Sequence, residues 1–176
     1  NVQDANPYGL LVTPGNVLVA DAGANAITGV SANGGLSDPI LVPTPDSAFL
    51  SDAVPTCIAP NGQGGYWIGT LNGTVHSLAG NTVSDPIALT GDHFVSIGGC
   101  VSDGNGGLYV TDQVAFFAIP PQPGGVYHIT SDGVVSTVLS DLFSPAGIAL
   151  TPDGKTLYVA ENSVSPDHGQ LLKITL

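Results

Sequence analysis

Positive charge is nearly missing from this sequence: Lys155 and Lys173 are its only basic residues against fourteen acidic ones, for a net charge of −12. Binding a phosphate backbone needs clustered lysine and arginine, so neither nucleic acid nor an anionic membrane is an expected partner. Long apolar runs are missing too. The longest, Val114 to Ile119, has six residues, against about 18 for a membrane-spanning helix, so membrane insertion is not expected. No segment repeats apolar residues at helical spacing without a Gly or Pro intervening, which leaves helices nearly absent from the expected fold. Methionine does not occur, and the sequence begins at Asn1 without a signal-like apolar stretch. That pattern is expected of a chain whose leader has been removed, or that is part of something longer. Charged residues are only 9% of the total, where a halophile's surface would be rich in carboxylates. With Ser, Thr, Asn and Gly abundant instead, the expected setting is extracellular: secreted or periplasmic.

What is abundant is punctuation. The chain has 24 glycines and 14 prolines, and they separate short Val, Ile, Leu and Tyr runs instead of forming a low-complexity tract, as many strands joined by turns require. The stretch "SPAGIALTPDGKTLYVAEN" (144–162) has three relatives: "NPYGLLVTPGNVLVADAGAN" (6–25), "VPTCIAPNGQGGYWIGTLNG" (54–73) and "VSIGGCVSDGNGGLYVTDQ" (95–113). Anchored on Val19, Ile68, Val110 and Val159, they are spaced 49, 42 and 49 residues apart. A period in the forties with several strands per unit marks a β-propeller blade.

The expected architecture is therefore all-β: one domain over 1–176, a propeller or open propeller-like arc of four repeats, with blades at about 6–52, 53–92, 93–142 and 143–176. First strands are predicted at Gly9–Val12, Thr56–Ala59, Gly98–Val101 and Gly147–Leu150, and second strands at Val17–Ala20, Tyr66–Gly69, Leu108–Thr111 and Thr156–Ala160. Third strands follow as "AITGVS", "GTVHSLA", "GGVYHIT" and "GQLLKIT". Fourth, outer strands are read at "DPILVP" (38–43), "DPIALT" (85–90) and "VVSTVL" (134–139). The last blade has none, and the "NVQDA" preceding the first unit offers at most a stub. An open arc exposes apolar faces at both ends, and heterologous faces that do not close build filaments. The expected partner is therefore another copy of the chain, or another protein. Contact is expected through the open edge with Leu171 and Ile174, and through the apolar insertion "QVAFFAIPPQPGG" (113–125) with Phe116 and Phe117.

The strand–turn–strand of 144–162 resembles the units of SMP-30/gluconolactonase-like and NHL-type propellers. A closer resemblance, carried by "NPYGLLVTPGNVLVADAGAN", "VPTCIA" with "YWIGTLNG", and "YVAENSVSPDHGQLLKI", is to the later blades of the ScyD/ScyE family of secreted propellers. That resemblance implies a six-bladed fold with no assigned enzymatic activity. The gluconolactonase resemblance implies carboxylate and Asn/Asp ligands around the central channel, holding a divalent cation that polarises a carbonyl. In those lactonases an Asn precedes the first-strand Gly. Here Ala146 holds that place, and its counterparts are Tyr8, Thr56 or Pro55, and Ile97, none of them a hard-cation ligand. On this basis no catalytic residue is expected, and the expected function is a non-enzymatic structural or interaction module. A metal-dependent lactonase and a small-ligand-binding propeller are the alternatives.

Asp21, Asp112 and Glu161 end three second strands. Either they form a carboxylate ring that takes Ca²⁺, the sole candidate cofactor, or each accepts local backbone N–H groups. The second is the expectation. Asp103-Gly104 and Asp153-Gly154 read as turns, and Asp38-Pro39 and Asp85-Pro86 as edge-strand starts. His76, His93, His128 and His168 sit at no metal or triad spacing, and no G-x-S-x-G elbow occurs. Cys57 and Cys100 lie on neighbouring inner strands; buried free thiols are expected, with a disulfide the alternative. Trp67 reads as inter-blade packing, and Asn72 heads a glycosylation sequon.

Overall fold

Short apolar runs broken by Gly and Asp/Asn turns pair as antiparallel hairpins, because only the turn residues tolerate the reversal. At the tips, Gly104 (φ 80°) and Gly154 (φ 69°) take the left-handed backbone while Asp103 and Asp153 accept the N–H groups of Asn105 (2.7 Å) and Lys155 (3.2 Å). The computed structural model describes residues 4–44, 46, 50–113 and 122–176. Phe116 and Phe117 lie outside the described residues.

Four sheets form the blades. Blade one contains β1 (Pro7–Thr13), β2 (Asn16–Asp21), β3 (Ala26–Ser31) and β4 (Ile40–Leu41). Blade two contains β5 (Pro55–Pro60), β6 (Tyr66–Thr70), β7 (Val75–Ala79) and β8 (Thr82–Val83). Blade three contains β10 (Ile97–Ser102), β11 (Leu108–Asp112), β12 (Gly124–Ile129) and β13 (Val134–Leu142), joined at its outer edge by β9 (Thr90–Gly91). Blade four has only β14 (Ile148–Leu150), β15 (Thr156–Glu161) and β16 (Gln170–Thr175). The arrangement is a four-blade propeller; among the described residues there is no helix, and the last blade has no outer strand.

The outer strand of blade two is not where the sequence places it. Gly80, with φ 59°, reverses the chain directly after β7, so Thr82–Val83 forms the fourth strand in its stead. Ile87 and Leu89 of the "DPIALT" segment then pack on the core between blades two and three. Thr90–Gly91 ends up parallel to Val134 and Val135 of blade three.

Inner strands stack in series, β1 on β5, β5 on β10 and β10 on β14, and one apolar core fills each junction. Ile27, Ile58, Ile68 and Leu78 fill the first; Trp67, Val75, Ile97 and Val110 the second; Val126, Leu157 and Val159 the third. The outward faces of the end blades stay open, with Leu10 67%, Val12 80% and Leu171 70% exposed. Ile174, grouped with Leu171 from sequence, points the other way: it pairs with Leu157 and joins the third core. The period-2 alternation of β16 places residues three apart on opposite faces. Asp4 to Asn6 run beside Gly23, where Ala22 N–H donates to Asn6 O at 2.9 Å. These first described residues belong to blade one and do not complete blade four.

Candidate functional site at the channel mouth

Each first strand carries a one-residue irregularity at the same end of the molecule. Register jumps from Pro7 to Gly9, from Pro55 to Cys57 and from Ile97 to Gly99, leaving Tyr8, Thr56 and Gly98 as the extra residues. In blade four Ala146 holds the place, donating its N–H to Ala160 O while Ala160 N–H donates to Gly147 O. A bulge shifts the face on which following side chains fall. This is why Ile97, aligned with Ala146 from sequence, is fully buried in the core, and Gly98 is the channel-facing residue of blade three.

Around these positions lies a cavity of about 470 Å³. Tyr8 and Ala22 line it from blade one, Thr56 and Leu71 from blade two, Gln113 from blade three, and Ala146 and Ser163 from blade four. A second cavity of about 280 Å³ follows the inner strands past Cys57 and Cys100. The wall is stitched between blades. Val54 N–H donates to Asn25 Oδ1 (2.8 Å), Thr56 Oγ1 to Ile97 O (2.5 Å) and Thr111 Oγ1 to Ala146 O (2.7 Å).

The three carboxylates that end second strands tie down backbone. Asp21 Oδ1 accepts from Asn6, Gly23 and Ala24 N–H at 2.8, 3.1 and 3.0 Å. Asp112 accepts from Val95 and Ser96 N–H at 3.1 and 2.9 Å, and Glu161 from Phe143 N–H at 3.1 Å. Each clamps the segment entering its own blade. Among the described residues no group of three or more His, Cys, Asp or Glu side chains converges. The polar groups at the mouth are hydroxyls and amides, so the divalent cation implied by the lactonase resemblance does not fit the residues here.

The remaining candidates are mostly structural. Cys57 and Cys100 form a disulfide with Cα atoms 5.7 Å apart, not the free thiols expected; the inner strands of blades two and three approach closely enough to be bridged. Trp67 fills the second core and donates Nε1–H to Gly106 O at 2.9 Å. Asn72 is occupied on both amide atoms, accepting from Leu50 N–H (3.0 Å) and donating Nδ2 to Asp52 O (2.7 Å). His76 is fully buried; Nδ1–H donates to Ser84 O at 2.9 Å, which leaves Nε2 to accept from the Thr74 hydroxyl at 2.9 Å. Burial holds its pKa below the ordinary histidine value, against the opposing effects of the Ser84 carbonyl and Asp85. His128 stacks on Tyr109 with ring centroids 4.6 Å apart and meets Asp103 at 2.9 Å. Burial pushes the Asp103 carboxyl up, but His128 and the N–H groups of Asn105 and Gly107 outweigh it and hold the carboxyl below its usual range. His93 and His168 are exposed.

Sequence reasoning missed Gln113. The signal was present in the blade alignment, since the residue after the last of each second strand is Ala22, Leu71, Gln113 and Asn162. Reading Gln113 as the start of the apolar insertion hid it.

The pattern of residues 9–165 matches that of the SMP-30/gluconolactonase/LRE-like region. The chain belongs to this family. Membership in the gluconolactonase-like family overturns the expectation that the chain is not an enzyme, and it favours the lactonase alternative over the structural module. The match is to the wider family and does not address the narrower ScyD/ScyE group. No curated protein sequence matches the chain. Among solved structures, a gluconolactonase from Xanthomonas campestris superposes with TM-score 0.74 at 17% identity, over 99% of this chain and 59% of that one. The hydrazine synthase of Kuenenia stuttgartiensis gives 0.70 at 14%, over 96% and 46%, and virginiamycin B lyase from Staphylococcus aureus 0.65 at 17%, over 100% and 57%. Likenesses this remote establish the propeller fold alone. In each case this chain spans between about half and three fifths of the partner's length.

Proposed function

We propose that the chain forms the channel-mouth pocket of a lactonase-type hydrolase that takes up a small neutral cyclic ester and opens it. The observation that carries this reading is the family match, which runs through all four blades. The pocket supports it: at about 470 Å³ it has the size of small-molecule sites in general, about 300–1,000 Å³. Its apolar residues, Ala22, Val54, Leu71, Ala146 and Val164, remove the faces of a ring from water, and its uncharged polar groups orient the substituents. Ring opening adds water across the acyl C–O bond and yields a hydroxy acid, which releases a proton at neutral pH. The side chains of this pocket contribute binding and orientation. The Cys57–Cys100 bridge favours an oxidising compartment, outside the cytoplasm.

Proton release from glucono-δ-lactone and a set of γ- and δ-lactones, corrected for spontaneous hydrolysis, tests the reading. Each assay is run with EDTA, with added Ca²⁺ and with added Zn²⁺. Turnover above the spontaneous rate is expected for at least one lactone. Rates equal to the blank for every lactone under all three conditions would overturn it.

A further inference from the structure

We propose that Gln113 is the recognition residue of the channel mouth: its carboxamide hydrogen-bonds a neutral ring bearing a carbonyl group, and the mouth selects that ring over its anionic open-chain acid. This deepens the lactonase reading, on which it rests, by naming the residue that sets specificity.

The repeat supplies an internal control. At the position after the second strand, blades one and two carry Ala22 and Leu71, so the fold requires no amide there. In blade four Asn162 adopts a left-handed backbone (φ 56°), and Ser163 lines the cavity in its stead. Of these four equivalent positions, only that of blade three brings an amide to the pocket.

Gln113 is only 6% exposed and it lines the cavity. Its backbone N–H donates to Ser96 O at 3.2 Å, but among the described residues no hydrogen bond forms to its carboxamide. Among the described residues no buried side-chain nitrogen or oxygen lacks a partner, so the carboxamide atoms open onto the cavity they line and remain available to hydrogen-bond a ligand there. The other polar side chains there are less suited to the role: Thr56 Oγ1 donates to Ile97 O, Ser163 Oγ donates to Ser144 O at 2.8 Å, and Asn6 and Tyr8 are exposed at the rim.

Gly98 is the second half of the device. A Cβ at this position would lie 2.4 Å from Gln113 Cδ and 2.8 Å from Nε2. The matching residues Tyr8, Thr56 and Ala146 all carry a Cβ. Gly98 does not have the left-handed φ that would by itself favour glycine, so the absent side chain serves space. Blade three has exchanged a first-strand side chain for one reaching across from the end of the second strand.

Electrostatics set the preference for a neutral ring. Among the described residues no charged side chain lines the cavity, and Asp21, Asp112 and Glu161 end the strands that surround it. The only two cations are remote from the mouth: Lys155 sits in the β14–β15 turn at the far end of blade four, and Lys173 pairs with Tyr158 in mid-strand. In a molecule of net charge −12 this field admits a neutral ring and repels a carboxylate. The acid formed by ring opening is thereby driven out.

The test measures binding of glucono-δ-lactam, a neutral ring that does not hydrolyse, and of gluconate, by titration calorimetry on the wild type, Gln113→Leu and Gly98→Ala. Wild type is expected to bind the lactam at least about tenfold more tightly than gluconate. Gln113→Leu, which installs the residue of the sister blade, is expected to keep or raise the melting temperature and to weaken the lactam by about tenfold, the scale of one hydrogen bond. Gly98→Ala displaces the amide and is expected to weaken it similarly. A lower melting temperature with unchanged lactam affinity in Gln113→Leu makes the residue structural and overturns the proposal, as does equal binding of gluconate or no binding of the lactam to wild type. Gln113-dependent lactam binding without turnover of any lactone would sustain this inference and remove the hydrolase reading.

Discussion

Gln113 and His76 are both buried polar residues, but their hydrogen bonds differ. His76 has a partner on each ring nitrogen, Ser84 O and the Thr74 hydroxyl, and its environment favours the neutral ring. An unfolded chain protonates this histidine near pH 6.5, its ordinary value; the folded protein resists until lower pH because burial depresses the pKa. Between those two values the unfolded state holds more protons. Stability is therefore level above about pH 6.5 and falls as the pH drops below it. Melting temperatures between pH 7.5 and 5 are expected to show that decline, and His76→Gln to flatten it whatever its effect on the midpoint. Asp103 acts in a separate window. Its depressed pKa contributes stability that is present above the ordinary carboxylate value of about 3.9 and lost as pH falls through the folded one.

At the scale of elements, the one-residue irregularities of the first strands create the site. They bring Tyr8, Thr56 and Ala146 to the mouth and set the spacing at which hydroxyls reach the next blade. Thr111 is fully buried and donates to Ala146 O at 2.7 Å. Thr111→Val keeps the shape but leaves that carbonyl without its donor, and urea denaturation is expected to show a loss of about 1–2 kcal/mol. The strands themselves are legible in the sequence: runs such as Val17–Ala20 and Tyr66–Gly69 lie within β2 and β6, because alternation and Gly/Asp turns are local signals. The irregularities are not, since a slip of one residue leaves composition and period unchanged, and so a simple alignment sets Ile97 at the position Gly98 occupies. Nor does the sequence show that Thr82–Val83 displaces "DPIALT" as the outer strand of blade two, because a two-residue strand is too short to leave a period. Gln113 is hidden for a different reason: its meaning comes from the space left by Gly98, fifteen residues earlier in the chain.

Across the whole molecule, stability is distributed over three junction cores, and only the middle one is closed by a covalent bond. Cys57 and Cys100 span a separation of 43 residues, a loop whose closure in the unfolded chain is worth about 4 kcal/mol on the chain-entropy model. The Cys57→Ala/Cys100→Ala variant is expected to lose stability of that order in chemical denaturation, and reductant to lower the wild-type midpoint but not that of the variant. The propeller architecture and the four-blade count follow from the repeat. The lactonase reading does not, because the residues at the mouth lack the ligands by which such an enzyme would be recognised.

The same cross-link has a mechanical consequence. If the molecule is held at its two ends and stretched, the segment of 43 residues between the sulfurs is bypassed, and roughly 150 Å of contour never enters the tether. A force trace would end short by that length, and adding a thiol while under tension would release it in a single step.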